Sequence, residues 1–210
     1  MTMKKILNII SSPRGEQSFS IKLANAVIDK LLVEYPNSTV HTHDLTNKPF
    51  PHLEEAHITS FYTPAEQQTE ENKAAIQHSD TAIKEIMDAD ILVIGVPVYN
   101  FNITSTLKAW IDHIARAGVT FSYSDKGPEG LVKNKKAYLA IATGGIYTEG
   151  FLKTIDFVEP YLRHMLGFLG ITDVTIFRVE GLSMPGVKDL ALQKAIDSIV
   201  IENTAELAEA

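Results

Sequence analysis

Four stretches of the chain are apolar almost without interruption: "KKILNII" (4–10), "DILVIGV" (90–96), "KAYLAIA" (136–142) and "DVTIFRV" (173–179). Runs of branched apolar residues this short predict strands covered on both faces. A fifth stretch, "STVHTHDL" (38–45), alternates apolar and polar positions and predicts an edge strand. Between these runs the spacing changes to that of helices. Leu23, Val27 and Leu31 share one face of a helix over 18–35. Leu107, Trp110, Ile111 and Ile114 fall at i, i+3, i+4 and i+7 over 104–116, and Gly118 stops the pattern. Further helices are predicted over 64–88, with Pro64 at its start and Glu66, Glu70 and Glu71 in its opening turns, over 155–169 and over 187–207.

Strand and helix alternate five times, the signature of an α/β fold with a doubly wound parallel sheet and helices on both faces. Two strand orders are common for this alternation. Five strands, with no dinucleotide glycine fingerprint after the first, favour the flavodoxin-like order 2-1-3-4-5. No repeat, low-complexity tract or linker divides the chain, so residues 1–210 are expected to form one domain. Two connections are longer than the fold needs. One covers 46–63; the other, over about 119–134, reads as a small hairpin or flap.

Composition narrows the field. There is no Cys, which removes disulfides, thiol catalysis and zinc–thiolate sites. The net charge of -7, with no basic run, argues against nucleic acid and anionic membranes as partners. The N-terminal apolar run is cut short by Pro13 and Arg14, so it reads as a strand and not a signal peptide. No window has the length of a transmembrane helix, and a soluble cytoplasmic protein is the expectation.

In sheets of this type ligands bind beyond the strand carboxyl ends, where the strand order reverses. Three loops meet that condition. In "SSPRGEQSFS", Ser11, Ser12, Ser18 and Ser20 offer hydroxyls, Arg14 a charge, and the following helix its first N–H groups, a set that suits phosphate. The same serines also suit an ordinary helix N-cap. In the second loop, Tyr99 and Phe101 offer planar apolar surface while Asn100 and Asn102 offer amides. A flat heteroaromatic ligand uses both, although two loop aromatics could equally pack on the sheet rim. In "ATGGIYTEG", Gly144 and Gly145 permit close backbone approach, or simply make a turn. His41 and His43 stand in an HxH pattern, read as a solvated edge strand in preference to a metal site. No metal is expected.

The run "PVYNFNITSTLKAWIDHIARAGVTFSYSDKGPEGLVKNKKAYLAIATGGIY", together with "SSPRGEQSFS" and "EPYLRHMLGFLGI", resembles the FMN-dependent NADH-azoreductase family, also described as FMN-dependent NADH:quinone oxidoreductases. The resemblance extends over nearly the whole chain. It implies a flavodoxin-like homodimer binding FMN noncovalently near the subunit interface. It places phosphate and ribityl contacts at Ser12, Ser18, Phe19 and Ser20. Ring contacts fall at Val98, Tyr99, Asn100 and Phe101, and at Ala142, Thr143, Gly144 and Gly145. Tyr123 on the flap and Phe168 match aromatic positions that flank the substrate; no side chain is implied as an obligatory catalyst. Some relatives carry Ser-Arg where this chain has Ala142 and Thr143, so that guanidinium is missing here. The implied activity is ping-pong transfer of two electrons from NADH to a quinone or azo compound. The competing readings are a flavodoxin-type electron carrier that does not oxidise NADH, and a non-flavin binding or receiver module.

Overall fold

The computed structural model describes residues 3–201. Its seven strands are β1 (Lys5–Ile10), β2 (Thr39–Asp44), β3 (Ile91–Pro97), β4 (Phe121–Ser124), β5 (Gly127–Gly130), β6 (Lys136–Ala142) and β7 (Asp173–Val179). Five of them pair in parallel in the order β2-β1-β3-β6-β7, which is the expected 2-1-3-4-5 once the hairpin β4–β5 is set aside. The helices are α1 (Phe19–Glu34), α2 (Glu55–Tyr62), α3 (Glu70–Asp88), α4 (Ser105–Ile114), a single turn α5 (Gly150–Lys153), α6 (Val158–Leu169) and α7 (Lys188–Asp197).

All seven residues of β3 are buried. Because side chains alternate along a strand, its residues feed two separate cores. Leu92, Ile94 and Val96 join Leu7, Ile9, Leu139 and Ile141 beneath α3, α4 and α6. Ile91 and Val93 join Ile6, Tyr138 and Ala140 beneath α1 and α7. Each fully buried aliphatic side chain of this size contributes about 1.5–3 kcal/mol. The helical stripes match: Leu23, Val27 and Leu31 of α1 are inaccessible to solvent, as is Leu107 of α4. Among the described residues no helix is long and apolar enough to cross a membrane.

Several expected boundaries move, each for a local reason. Pro64 does not open α3. It precedes a separate 3-10 turn, Ala65–Gln67, and α3 starts after Thr69, whose hydroxyl accepts the N–H of Asn72 while the Asn72 side chain accepts the N–H of Thr69. α6 begins at Val158 and not Ile155, because the Asp156 carboxylate caps the N–H groups of Val158 and Glu159. The last helix is described to Asp197; the remainder of the expected stretch, including Leu207, reaches outside the described residues. The 46–63 connection contains α2, which its sequence does not announce. Its start is closed by His57, whose Nδ1 accepts the N–H of Glu54 at 3.0 Å.

α2 and its approach are fastened to α4 through His113, which is wholly buried. The His113 Nε2–H donates to the Pro51 carbonyl at 3.0 Å, and the rings of Phe50, His57 and Phe61 pack around the imidazole at 5.0–6.0 Å. Burial pushes the His113 pKa below its ordinary value; the Pro51 carbonyl and Asp112 oppose this, while His57 and His78 reinforce it. The unfolded chain therefore binds a proton here that the folded chain refuses. Stability should fall as pH drops below about 6.5, with a limiting slope on the order of 1.4 kcal/mol per pH unit from this residue. Urea unfolding from pH 7.5 to 5.5 should show a shallower loss for His113→Gln, whose amide can still donate to Pro51.

Candidate active site

The loops that follow β1, β3 and β6 come together because those strands are neighbours in the sheet. They enclose a cleft of about 330 Å³. The first loop contributes Arg14, Ser18 and Phe19, the second Pro97, Val98 and Tyr99, and the third Ala142, Thr143 and Gly144. A fourth wall, formed after β7 by Leu182, Ser183 and Lys188, has no counterpart in the sequence reading. The charged groups on this lining are Arg14 and Lys188, with no carboxylate among them. In a chain of net charge -7 that is a local reversal of sign, and it favours an anionic ligand.

The serines of the first loop divide by role. Ser11 donates its hydroxyl to the Gly95 carbonyl at 2.8 Å, tying the loop to β3, so it is a structural residue. Ser18 is the N-cap of α1, and its Oγ lies 3.0 Å from that of Ser20. Ser12, Ser18 and Ser20 are all nearly inaccessible. Among the described residues the N–H groups of Phe19 and Ser20 have no protein acceptor. The cap and phosphate readings thus coexist: the hydroxyls fix the helix start and leave its first donors free.

The second loop is a two-residue turn. Tyr99 and Asn102 exchange two backbone hydrogen bonds of 3.0 Å. Between them Asn100 and Phe101 both have positive φ, 49° and 65°, the geometry of a hairpin turn that usually selects glycine. Holding a bulky L-residue there costs about 1–2 kcal/mol. The Asn102 side-chain oxygen accepts the N–H of Ile103 at 2.8 Å, so this amide helps to fix the turn. Tyr99 and Phe101 are 40% and 52% exposed, so each leaves a large part of its surface open to a ligand.

The third loop is stitched to its neighbours through carbonyls. Ala142 accepts the N–H of Val98 at 2.9 Å. Gly144 accepts from Ser183 at 2.9 Å and Gly145 from Gly181 at 3.1 Å, and the Thr143 hydroxyl also donates to the Gly145 carbonyl at 2.8 Å. The N–H groups of Gly144 and Gly145 have no protein acceptor among the described residues. A Cβ on Gly144 would stand 2.7 Å from Ser183 Oγ, so a side chain here would force that hydroxyl to turn aside.

A family model described as a flavodoxin-like fold matches residues 4–200. The FMN-dependent NADH:quinone oxidoreductase of Herminiimonas arsenicoxydans is 50% identical over 182 residues, 87% of this chain and 89% of that protein. That of Mesorhizobium japonicum is 43% identical over 207 residues, 97% of this chain and 99% of that protein. The chain belongs to the FMN-dependent NADH:quinone oxidoreductase family. Solved structures agree with it. An azoreductase from Bacillus anthracis superposes with a TM-score of 0.85 at 31% identity, covering 93% of this chain and 96% of that one. An FMN-dependent NADH-azoreductase from the same species, solved in complex with FMN, gives 0.80 at 27% identity, covering 97% and 99%.

Two residues that the family resemblance marks as substrate-flanking do not line the cleft. Tyr123 is 72% exposed at the hairpin. Phe168 is partly buried, its ring 4.4 Å from that of Phe121. The hairpin is rooted far from the three loops. Val132 donates to the Leu169 carbonyl at 2.8 Å, and a Cβ on Gly130 would meet the backbone of Gly170 at 2.2 Å. Leu169 and Gly170 precede β7, so the hairpin is rooted at the amino ends of the strands, whereas the cleft lies beyond their carboxyl ends. The HxH pair does lie on an edge strand whose first four residues are exposed, with the His41 side chain 65% exposed. His41 and His43 bond separate oxygens of Glu85, at 3.1 and 2.8 Å, and the His43 side chain is 10% exposed. With His78 and Phe50 they line a larger cavity of about 660 Å³ between β2 and α3, apart from the three loops. Among the described residues no group of three or more His, Cys, Asp or Glu is placed to hold a metal ion.

Removing the α1 cap tests the first loop without touching the ring loops. Ser18→Ala should lower unfolding free energy by about 1 kcal/mol. Urea denaturation checks this, with m unchanged if the native fold is retained.

Proposed function

We propose that this chain is an FMN-dependent oxidoreductase that passes an electron pair from NADH to quinones and azo compounds. The observation that carries the reading is the distribution of free donors on the three loops, with Phe19 and Gly144 lining the cleft and Ser20 and Gly145 next to them in the chain. At one end the unpaired N–H groups of Phe19 and Ser20 stand beside buried serine hydroxyls. At the other end are the unpaired N–H groups of Gly144 and Gly145, with two exposed aromatic rings on the loop between. That is a donor set for a phosphate joined to a flat, electron-rich ring. Ser12, Ser18, Phe19 and Ser20 would hold the phosphate and ribityl chain. Val98 to Phe101 and Ala142 to Gly145 would hold the ring, noncovalently. The names of the relatives and the FMN present in the Bacillus anthracis structure support FMN as the ligand.

When bound, FMN supplies the redox chemistry, taking a hydride from NADH and returning the electron pair to an acceptor. The balance is NADH, one proton and a quinone giving NAD+ and a hydroquinone. An azo bond consumes two such pairs and four protons to give two amines. The chain's part is orientation and electrostatics. Arg14 and Lys188 draw anionic groups to the cleft, and the Gly144 and Gly145 N–H groups favour negative charge at the ring edge. No carboxylic acid lines the cleft, so protons are drawn from solvent, or in a dimer from the Tyr123 phenol carried by the other copy's hairpin. Donor and acceptor would take the same place beside the ring in turn, and the kinetics would then be ping-pong.

The protein is read as a homodimer. Tyr123 and Phe168 stand away from the cleft of their own subunit, and the hairpin carries an exposed aromatic at its tip. In a two-fold pair the hairpin of one subunit can border the cleft of the other. Sedimentation should then show a dimer, and Tyr123→Ala should raise the acceptor KM several-fold while leaving FMN affinity within about twofold.

A flavodoxin-type carrier shares the fold but not the direct reaction with NADH. Anaerobic NADH added to FMN-loaded protein should bleach the flavin spectrum, and initial rates with a quinone should give parallel double-reciprocal lines. A protein that retains FMN but is not bleached is a carrier. One that fails to retain FMN supplied in excess has neither function.

A further inference from the structure

The loop that carries Gly144 and Gly145 is gripped a second time, from outside the cleft. Glu180, the residue after β7, accepts the Tyr147 N–H at 2.8 Å through Oε1 and the Thr148 hydroxyl at 2.6 Å through Oε2. Its side chain is 13% exposed, and it does not line the cleft. A guanidinium stands behind the carboxylate without hydrogen-bonding to it. Arg178 Nη1 stands 3.7 Å from Glu180 Oε1, while Arg178 Nη2 donates to Asp156 and Glu159 at 2.6 Å each, fixing the end of β7 to the head of α6. Burial works against the Arg178 charge, but the two acidic partners prevail and hold its pKa above the ordinary value.

The main chain beyond Glu180 completes the grip. Gly181, Leu182 and Ser183 donate to the carbonyls of Gly145, Thr143 and Gly144. The glycine pair is therefore held on its carbonyl side by 181–183 and on its downstream side by one carboxylate. Glycine has the widest backbone freedom of any residue, so a glycine pair keeps one orientation only if its flanks are fixed. The groups left over are the N–H donors of Gly144 and Gly145.

We infer that Glu180 is a positioning residue: by holding Tyr147 and Thr148 it fixes the direction of the Gly144 and Gly145 N–H groups, and so sets how strongly the cleft prefers reduced over oxidised FMN. This rests on the FMN reading above. Two physical effects of Glu180 have opposite signs. As a negative charge near the cleft it would disfavour the electron-rich reduced ring, so its removal would raise the flavin potential. As the anchor of the donors it favours the reduced ring, so its removal lowers the potential. The short contacts to Tyr147 and Thr148, with the carboxylate set outside the cleft lining, make the second effect dominant.

The experiment is an anaerobic dye-equilibrated redox titration of the FMN-loaded protein and its variants. Glu180→Ala should reduce the preference for reduced FMN about tenfold, a fall of about 30 mV for a two-electron couple. Glu180→Gln should stay within threefold of the parent, because its amide oxygen can accept from Tyr147 and its NH2 can donate to Thr148. Thr148→Val, which keeps the charge and removes one arm, should shift in the same direction by about threefold, and it carries the test if Glu180→Ala does not fold. An unchanged potential in Glu180→Ala, with both redox forms bound equally less well, would reduce Glu180 to a structural role and overturn the inference. So would a raised potential, or Gln behaving like Ala. If the parent protein binds no FMN, the function proposed above fails, and this is seen before any variant is compared.

Discussion

Burial of β3 on both faces is the constraint on which the cleft depends. Seven consecutive inaccessible residues need a layer of helix on each side of the sheet. The chain meets the need by leaving β1 in two senses. It runs through α1 on one face to the edge strand β2, then through α3 on the other face back to β3. The helices on either side of that reversal diverge, and a crevice opens above the ends of β1 and β3. β6 pairs with β3 along seven residues, which brings its own loop to the same edge. The site is thus a by-product of how a strand with no polar face is covered.

The parts of the fold set by short-range chemistry could be read from the chain. The branched runs mark four of the five sheet strands, and the stripes of α1 and α4 name their buried residues. What could not be read depends on partners distant in sequence. α2 escaped notice because its cap is built from Glu54 and His57, not from the usual Ser or Thr with Glu or Gln. Pro64 imitated a helix start, but Thr69 and Asn72 closed a better box five residues on. The hairpin is legible as a hairpin. Its distance from the cleft is not, since it follows from one backbone lying on another at Gly130 and Gly170.

The site shows the same division. Its loops were legible because Ser, Asn and Gly cluster at strand ends. Which members serve the ligand and which serve the loop was not. Ser11 and Asn102 proved to be internal fasteners, one holding Gly95 and the other Ile103. The fourth wall around Ser183 and the anchor at Glu180 left no local trace, for nothing near Glu180 in the chain signals that Tyr147 will lie against it. Much of the binding capacity also resides in main-chain N–H groups, which every residue but proline possesses. Composition can show where the backbone is permitted to come close, but not where its donors point.

The turn at Asn100 and Phe101 bears on the thermodynamics of loading. Its left-handed backbone is locked by the two Tyr99–Asn102 hydrogen bonds, so the adjacent rings are presented by the chain path and not by contact with a guest. A planar molecule arriving there meets a main chain already organised and has chiefly the two exposed rings to order. The backbone share of the entropic penalty of capture has been met in advance, during folding.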